Sequence, residues 1–302
     1  MLKEINLESS IRYFYIVPGT PFLYIDKLRA LVFADAHLGF EEALARGLDY
    51  YTGRKSGKTY YMGGIVVPKR QFKKLVMFLE EAFHLLDGKI STVLINGDLK
   101  HAFDRLLRQE RREVRDLLDF ILSKGVREVI LVRGNHDNFL PIVLKDYGLE
   151  LHRSYVVSIN NKRVLFTHGH LDIDITDYDV VIIGHEHPVL RCLGMHRFPV
   201  FLHGRTEVGN WIIVLPASGA YQPGTIPSIN REDYLSPIIH KYVDPGRLRI
   251  TGWITVESKM DMVEGGEELL DIGFFEKISV DGKDVYFFEF ESVEEALAVC
   301  SL

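Results

Sequence analysis

Five short aliphatic runs punctuate the first 190 positions, and each stops at side chains able to hold a metal ion. The runs are LVFA (31–34), TVLIN (92–96), EVILVR (128–133), VLFT (164–167) and VVIIG (180–184). Their shortness and their Val, Ile and Leu content predict buried strands. Between the early runs, Lys69 to Leu86 and roughly Ala102 to Lys124 carry helical apolar spacing, and Gly125 is placed to stop the second helix. Strands alternating with helices predict an α/β core.

The residues that follow the runs are Asp35 and His37, Asp98, Asn135 and His136, His168 and His170, and His185 and His187. At the carboxyl ends of strands in an open α/β sheet, side chains converge on one crevice, so these five pieces are expected to share a site. Oxygen and imidazole donors with no thiolate suit Mn, Fe or Zn better than a soft metal. Singly, DAH, GD or a lone loop histidine is ordinary turn or cap chemistry. The set DAH, GD, GNHD, HGH and GHEH, in order and each directly after a β-type run, is not.

Composition bounds the rest. With 302 residues and 47% hydrophobic content, the chain can bury a large core, while a net charge of -6 excludes coating nucleic acid through bulk positive charge. Any nucleic-acid contact is therefore local. Cys192 and Cys300 are far apart and outside CxxC spacing, so we expect neither a disulfide nor a thiolate metal site, and a cytoplasmic location. No 18-residue apolar run occurs and charge interrupts the N-terminal apolar stretches, so neither secretion nor membrane spanning is expected. Three glutamines amid abundant Lys, Arg and Glu match the bias of a thermophile protein.

After Pro188 the texture becomes β-type, at VFLH (200–203), WIIVLP (211–216), ITGWITV (250–256) and DVYFFEFE (284–291), which predicts a second sheet. We divide the chain into a core over 1–230 and a β-rich extension over 231–302 packed on it, with a short closing helix near Val293 to Val299.

The ordered motifs resemble the DxH, GD, GNH[DE], H and GHxH signature of calcineurin-like metallophosphoesterases, over roughly residues 28 to 190. The resemblance implies a four-layer α/β/β/α sandwich with two mixed sheets and a dinuclear centre holding two divalent ions, Mn2+ first, with Fe, Zn or Ni as alternatives. It implies Asp35, His37 and His187 on one ion, Asn135, His168 and His185 on the other, and Asp98 bridging both. It makes His136 the residue that protonates the leaving oxygen. Asp137 either orients His136 or caps a helix. His170 is left to a supporting role beside the ligands. ADAHLGFEEALARG, NGDLKHAF and IIVLPASGAY with LSP also look like archaeal phosphoesterases related to SbcD repair nucleases, and like DNA-ligase-associated metallophosphoesterases. His101 stands where many relatives carry a different residue, and we assign it to substrate binding.

Other features compete. GRKSGKT (53–59) lacks the first glycine of a P-loop, because Thr52 fills that position, and its flanks are wrong. Arg105, Arg108, Arg112 and Arg115 form a helical ridge, but interleaved acids favour a solvated, ion-paired face. Gly47 to Val67 is expected as a substrate-facing loop, with Arg54, Lys55 and Lys58 set among tyrosines for phosphates and bases; a dimer contact is the alternative. His84, His152, His196, His203 and His240 are expected to satisfy local hydrogen bonds. The expected activity is hydrolysis of a phosphate ester, with DNA or RNA as candidate partners. A phosphomonoesterase or small-nucleotide phosphodiesterase, and a noncatalytic scaffold, are the alternatives.

Overall fold

The protein is described here by a computed structural model, over residues 2–8, 11–52, 60–62, 65–67, 70–192, 196–220, 224–256, 275–280 and 282–300. In chain order the first strands are β1 (Lys3–Glu4), β2 (Phe14–Ile16), β3 (Leu23–Ile25), β4 (Ala30–Phe33), β5 (Tyr60–Met62), β6 (Ile65–Val67), β7 (Thr92–Asn96), β8 (Glu128–Val132) and β9 (Leu151–His152). The later strands are β10 (Tyr155–Ile159), β11 (Lys162–Phe166), β12 (Val180–Ile183), β13 (Val189–Cys192), β14 (His196–Arg205), β15 (Trp211–Val214), β16 (Arg249–Val256), β17 (Phe275–Val280) and β18 (Lys283–Phe290). The α-helices are α1 (Phe40–Thr52), α2 (Gln71–Leu86), α3 (Arg108–Ser123), α4 (Pro141–Leu144), α5 (Pro237–Tyr242) and α6 (Val293–Cys300).

All five aliphatic runs are strands, and they build two mixed sheets. One is ordered β1-β2-β3-β4-β7-β8-β9, parallel from β4 onward; the other runs β10-β11-β12-β15-β14-β16-β18-β17, with β13 also on β14 and a parallel centre at β11-β12-β15. The two-residue period of a strand decides which way each side chain faces. On β4, Ala30 and Val32 join the core between the sheets, whereas Leu31 and Phe33 meet helices α2, α3 and α4 on the outer face. On β12, Val180 and Ile182 face inward while Val181 and Ile183 pack toward α5 and α6. The result is the expected α/β/β/α sandwich. Each fully buried aliphatic side chain contributes about 1.5–3 kcal/mol, so these three apolar clusters carry the fold.

Several expectations need correction. The N-terminal strands β1 to β3 and helix α1 fall where the sequence showed no clear period. The second helix starts at Arg108, not near Ala102, because the buried Glu110 carboxylate accepts from the backbone N–H groups of His101 and Leu107 and holds the preceding residues in a turn. The stretch from Gly47 to Val67 is not a plain loop, since α1 runs through Thr52 and β5 pairs antiparallel with β6. Arg54, Lys55 and Lys58 lie outside the described residues. Cys192 and Cys300 form a disulfide across 108 positions, with Cα atoms 4.5 Å apart. Sequence distance hid the pairing because α6 packs against the apolar cluster that contains Cys192. The bond removes the support that unpaired cysteines lent to a reducing compartment. No helix among the described residues is long and apolar enough to cross a membrane.

A buried polar network ties the starts of the first three helices together. Glu41 accepts from the N–H of Arg70 and of Gln71 at 2.8 and 2.9 Å. The Gln109 amide donates to Glu41 at 2.8 Å and to Glu113 at 2.6 Å, and the Gly39 N–H donates to Glu113 at 2.9 Å. Burial lifts the Glu113 carboxyl to about 7 against the pull of Gln109 and Gly39, with Glu41 raising it further. A raised carboxyl pKa means that the folded state holds this proton more tightly than the unfolded chain. The stability it contributes is therefore full below about pH 4.5 and is lost as pH rises through about 7. In thermal melts, the Tm of Glu113→Gln relative to the parent should rise between pH 5 and pH 8. A difference that does not change with pH would show that charging Glu113 costs the fold nothing.

Candidate metal centre

The loops after β4, β7, β8, β11 and β12 bring the motif residues together at the carboxyl edges of both sheets. Asp35 and Asp98 are almost completely buried. Ligand atoms of Asp35, His37 and His187 lie within 4.8 Å of one another, and so do those of Asp98, His168 and His185. Asp98 Oδ2 stands between the groups, 3.3 Å from His168 Nε2 and 3.7 Å from His37 Nε2. Asp35 Oδ1 is 3.0 Å from His187 Nε2 and 3.7 Å from His168 Nε2.

Backbone geometry places these side chains. Asp35, His37, Asp98, His185 and His187 all have positive φ, and they are five of the eight non-glycine residues with that conformation among the described residues. Left-handed backbone is costly for such residues, and its concentration here marks the loops as held in place by the surrounding fold. Hydrogen bonds do the holding. The N–H of His185 donates to Asp35 Oδ2 at 3.0 Å, that of His136 to Asp98 Oδ1 at 2.9 Å, and that of Asp35 to the Gly97 carbonyl at 3.0 Å.

Asp35 Oδ1 and His168 Nε2 in this space, and the buried Oδ1 of Asn135 next to His136 in the chain, make no aligned hydrogen bond, although His187 Nε2 approaches the first closely. Buried polar atoms left without a partner are costly unless a cation satisfies them. The electrostatics agree. Burial opposes charge on His168, yet the flanking Asp98 and Asp35 outweigh it and hold its pKa at about 9. Burial pushes His37 down to about 3 and His185 down to about 4, leaving neutral imidazoles with free lone pairs. Hard and borderline donors, two buried carboxylates and unfilled lone pairs fit divalent ions.

The remaining expected residues surround this set. The His136 ring is turned by the His101 carbonyl, which accepts from Nδ1 and leaves Nε2 toward Asp98. Asp137 accepts instead from the N–H groups of Gly134 and Lys100, so it fixes the turn that carries His136. His101 lies with its Nδ1 3.3 Å from that of His37 and stacks on His136. His170 sits beside His168 and His185, with ring centroids 5.3 and 6.1 Å away. His203 and His240 have local partners in Thr251 and the Tyr234 carbonyl.

The sequence reading missed Asn96 and Glu186. The Asn96 side-chain amide donates to the Thr167 and Ile182 carbonyls at 3.0 and 3.1 Å, stitching the two sheets together, and the Asn96 backbone carbonyl accepts from His168 Nδ1 at 3.0 Å. Its signal was a polar residue closing an otherwise apolar run. The buried Glu186, between two expected ligands, accepts from the N–H groups of Leu235 and Ser236 at 3.0 and 2.6 Å and anchors the GHEH loop.

Residues 28–189, more than half of the chain, match the calcineurin-like phosphoesterase family. The chain belongs to that family. Its activity class follows, metal-dependent hydrolysis of phosphate esters. No curated protein matches this phosphoesterase. Among solved structures, the nuclease MPE of Pseudomonas putida is 17% identical, with 83% of this chain and 96% of that one covered and a TM-score of 0.51, a likeness of fold. A protein of unknown function from Aquifex aeolicus (19% identical, 52% and 78% covered, TM-score 0.31) and vacuolar protein sorting 29 from Cryptosporidium parvum (17%, 70% and 88%, 0.26) are more remote.

Gly97 tests the geometry, because a Cβ there would lie 2.2 Å from His168 Nδ1 while φ is +96°. Gly125 is its control, with φ +81° and nothing within 4 Å. Alanine at either position should cost about 1–2 kcal/mol through the left-handed backbone. Only Gly97→Ala should also weaken divalent-ion binding in titration calorimetry. Equal metal affinity in the two variants would show that the His168 position does not matter to the ions.

Proposed function

We propose that this phosphoesterase hydrolyses phosphodiester bonds in nucleic acid with two divalent ions, manganese being the metal we assign first. The observation that carries the two-ion reading is Asp98, whose Oδ2 is shared between the donor set of His168 and that of His37. A carboxylate with two oxygens and a buried charge is suited to bridging. We assign Asp35, His37 and His187 to one ion and Asn135, His168 and His185 to the other. Bound there, the ions supply Lewis acidity that lowers the pKa of water and a clamp for phosphate oxygens. Nucleic acid as the substrate is supported by the likeness of fold to a protein named as a nuclease, and by motifs that resemble SbcD-related and DNA-ligase-associated phosphoesterases.

The protein's own groups supply the rest of the chemistry. With Nδ1–H donating to the His101 carbonyl, His136 exchanges its second proton at Nε2, which faces the site 3.9 Å from Asp98 Oδ2. Its side chain is a quarter exposed, so substrate can reach it. That proton is the one we assign to the leaving oxygen. The stacked His101 ring limits rotation of His136 and stands at the substrate side.

The expected result for His136→Ala is a loss of about 10²–10⁴ in kcat on esters with poor leaving groups and a much smaller loss on nitrophenyl esters, with metal content retained. Equal losses on both kinds of ester would rule out leaving-group protonation. A panel of mono- and diesters with single- and double-stranded oligonucleotides tests the substrate class. Cleavage of monoesters alone would replace the nuclease reading.

A further inference from the structure

Beside His136 the surface opens into a cleft of about 380 Å³ between the start of α3 and the turn leading into α4. Its walls belong to the segments that also build the site. One follows His101 and carries Leu107, Arg108 and Arg111; the other follows Asn135 and His136 and carries Phe139 and Ile142. Phe103 directly precedes the cleft-lining Asp104, its ring 5.7 Å from that of His136 and its carbonyl accepting from Asn138. Phe103, Phe139 and Ile142 are 56%, 39% and 41% exposed, large apolar groups held in water beside a charged site.

The charges around the cleft are unequally paired. Asp104 at the rim is neutralised by Arg105, with contacts of 2.6 and 2.9 Å, and about two turns further along the same face of α3 Arg115 pairs with Asp146. Arg108 and Arg111 are exposed and have no carboxylate partner among the described residues. The arginine ridge read from the sequence is thus partly ion-paired, at Arg105 and Arg115, and Arg108 of that ridge lines the cleft together with Arg111.

We propose that this cleft holds the nucleotide flanking the scissile phosphate, and that the substrate is therefore single-stranded or frayed nucleic acid. The inference rests on the nucleic-acid reading of the site. Guanidinium groups suit phosphates, and exposed rings suit the face of an unstacked base. In a duplex both faces of each base are already stacked, so these rings gain nothing from it. A strand with one phosphate at the metal centre passes Phe103 on its way to the cleft.

The test is binding of a fluorescent single-stranded oligonucleotide by anisotropy, on the full chain in EDTA to prevent cleavage. It is paired with kcat/KM of the manganese-loaded protein on the oligonucleotide and on a small aryl diester. Arg108→Ala/Arg111→Ala should weaken oligonucleotide binding about tenfold or more and flatten the salt dependence by about 1.4 in log–log slope, at roughly 0.7 per phosphate contact. Phe139→Ala should weaken it about fivefold or more with no change in that slope. The small diester should be cleaved by all variants within about twofold of the parent, which also shows that they fold. A blunt duplex should bind more weakly than the single strand. Unchanged oligonucleotide affinity in the variants, or losses equal to those on the small diester, overturns the cleft while leaving the nuclease reading intact. Binding without cleavage by the parent overturns the nuclease reading and leaves the cleft standing. Absence of binding by the parent overturns the cleft.

Discussion

Two carboxylates buried at the seam between two sheets set the terms for the whole molecule. Asp35 and Asp98 are nearly inaccessible to water, and isolated buried charges of the same sign are among the most costly arrangements a protein can hold. Histidines on every side answer part of that cost. Burial drives His37 and His185 toward neutrality, while His168, wedged against both carboxylates, is drawn toward the charged form. The same field that holds a proton on His168 attracts a divalent cation, and the buried oxygen of Asn135 has no hydrogen-bond partner among the described residues.

Such a pocket survives only where the surrounding structure is rigid, and two devices provide that. One is Asn96, which crosses from the first sheet to carbonyls at Thr167 and Ile182 and also orients His168. A slip of one sheet against the other would break all three bonds together. The other is the pair of backbone N–H donors, from His185 to Asp35 and from His136 to Asp98, that ties the left-handed loops to one another. The cost of those conformations is met by the apolar clusters on either face of each sheet.

Further out, the structure links the centre to elements remote in sequence. Glu186 joins the GHEH loop to the turn before α5, where Ser236 also donates to the Gly169 carbonyl. Glu41, Gln109 and Glu113 join the starts of α1, α2 and α3 behind the loops that carry His37 and His101. The pairing of β14 with β16, and of β16 with β18 and β18 with β17, makes these three late strands part of the second sheet.

The sequence by itself determined the five central strands, a second sheet and the motif-bearing loops that follow those strands. Aliphatic runs bounded by turns leave little choice of element, and strand ends in an α/β sheet face a common crevice. Local patterns were silent where partners are distant. Glu113 looked like part of a solvated helix face, Asn96 like the last residue of a strand, and Cys192 and Cys300 like unrelated thiols. Only the tertiary structure decided that His101, not Asp137, turns the His136 ring, and that Arg105 and Arg115 are ion-paired while Arg108 and Arg111 have no carboxylate partner among the described residues. The reason is physical: periodicity reports which face of an element is buried, whereas hydrogen bonds and ion pairs depend on distances of a few ångströms between segments that only the packed sheets bring together.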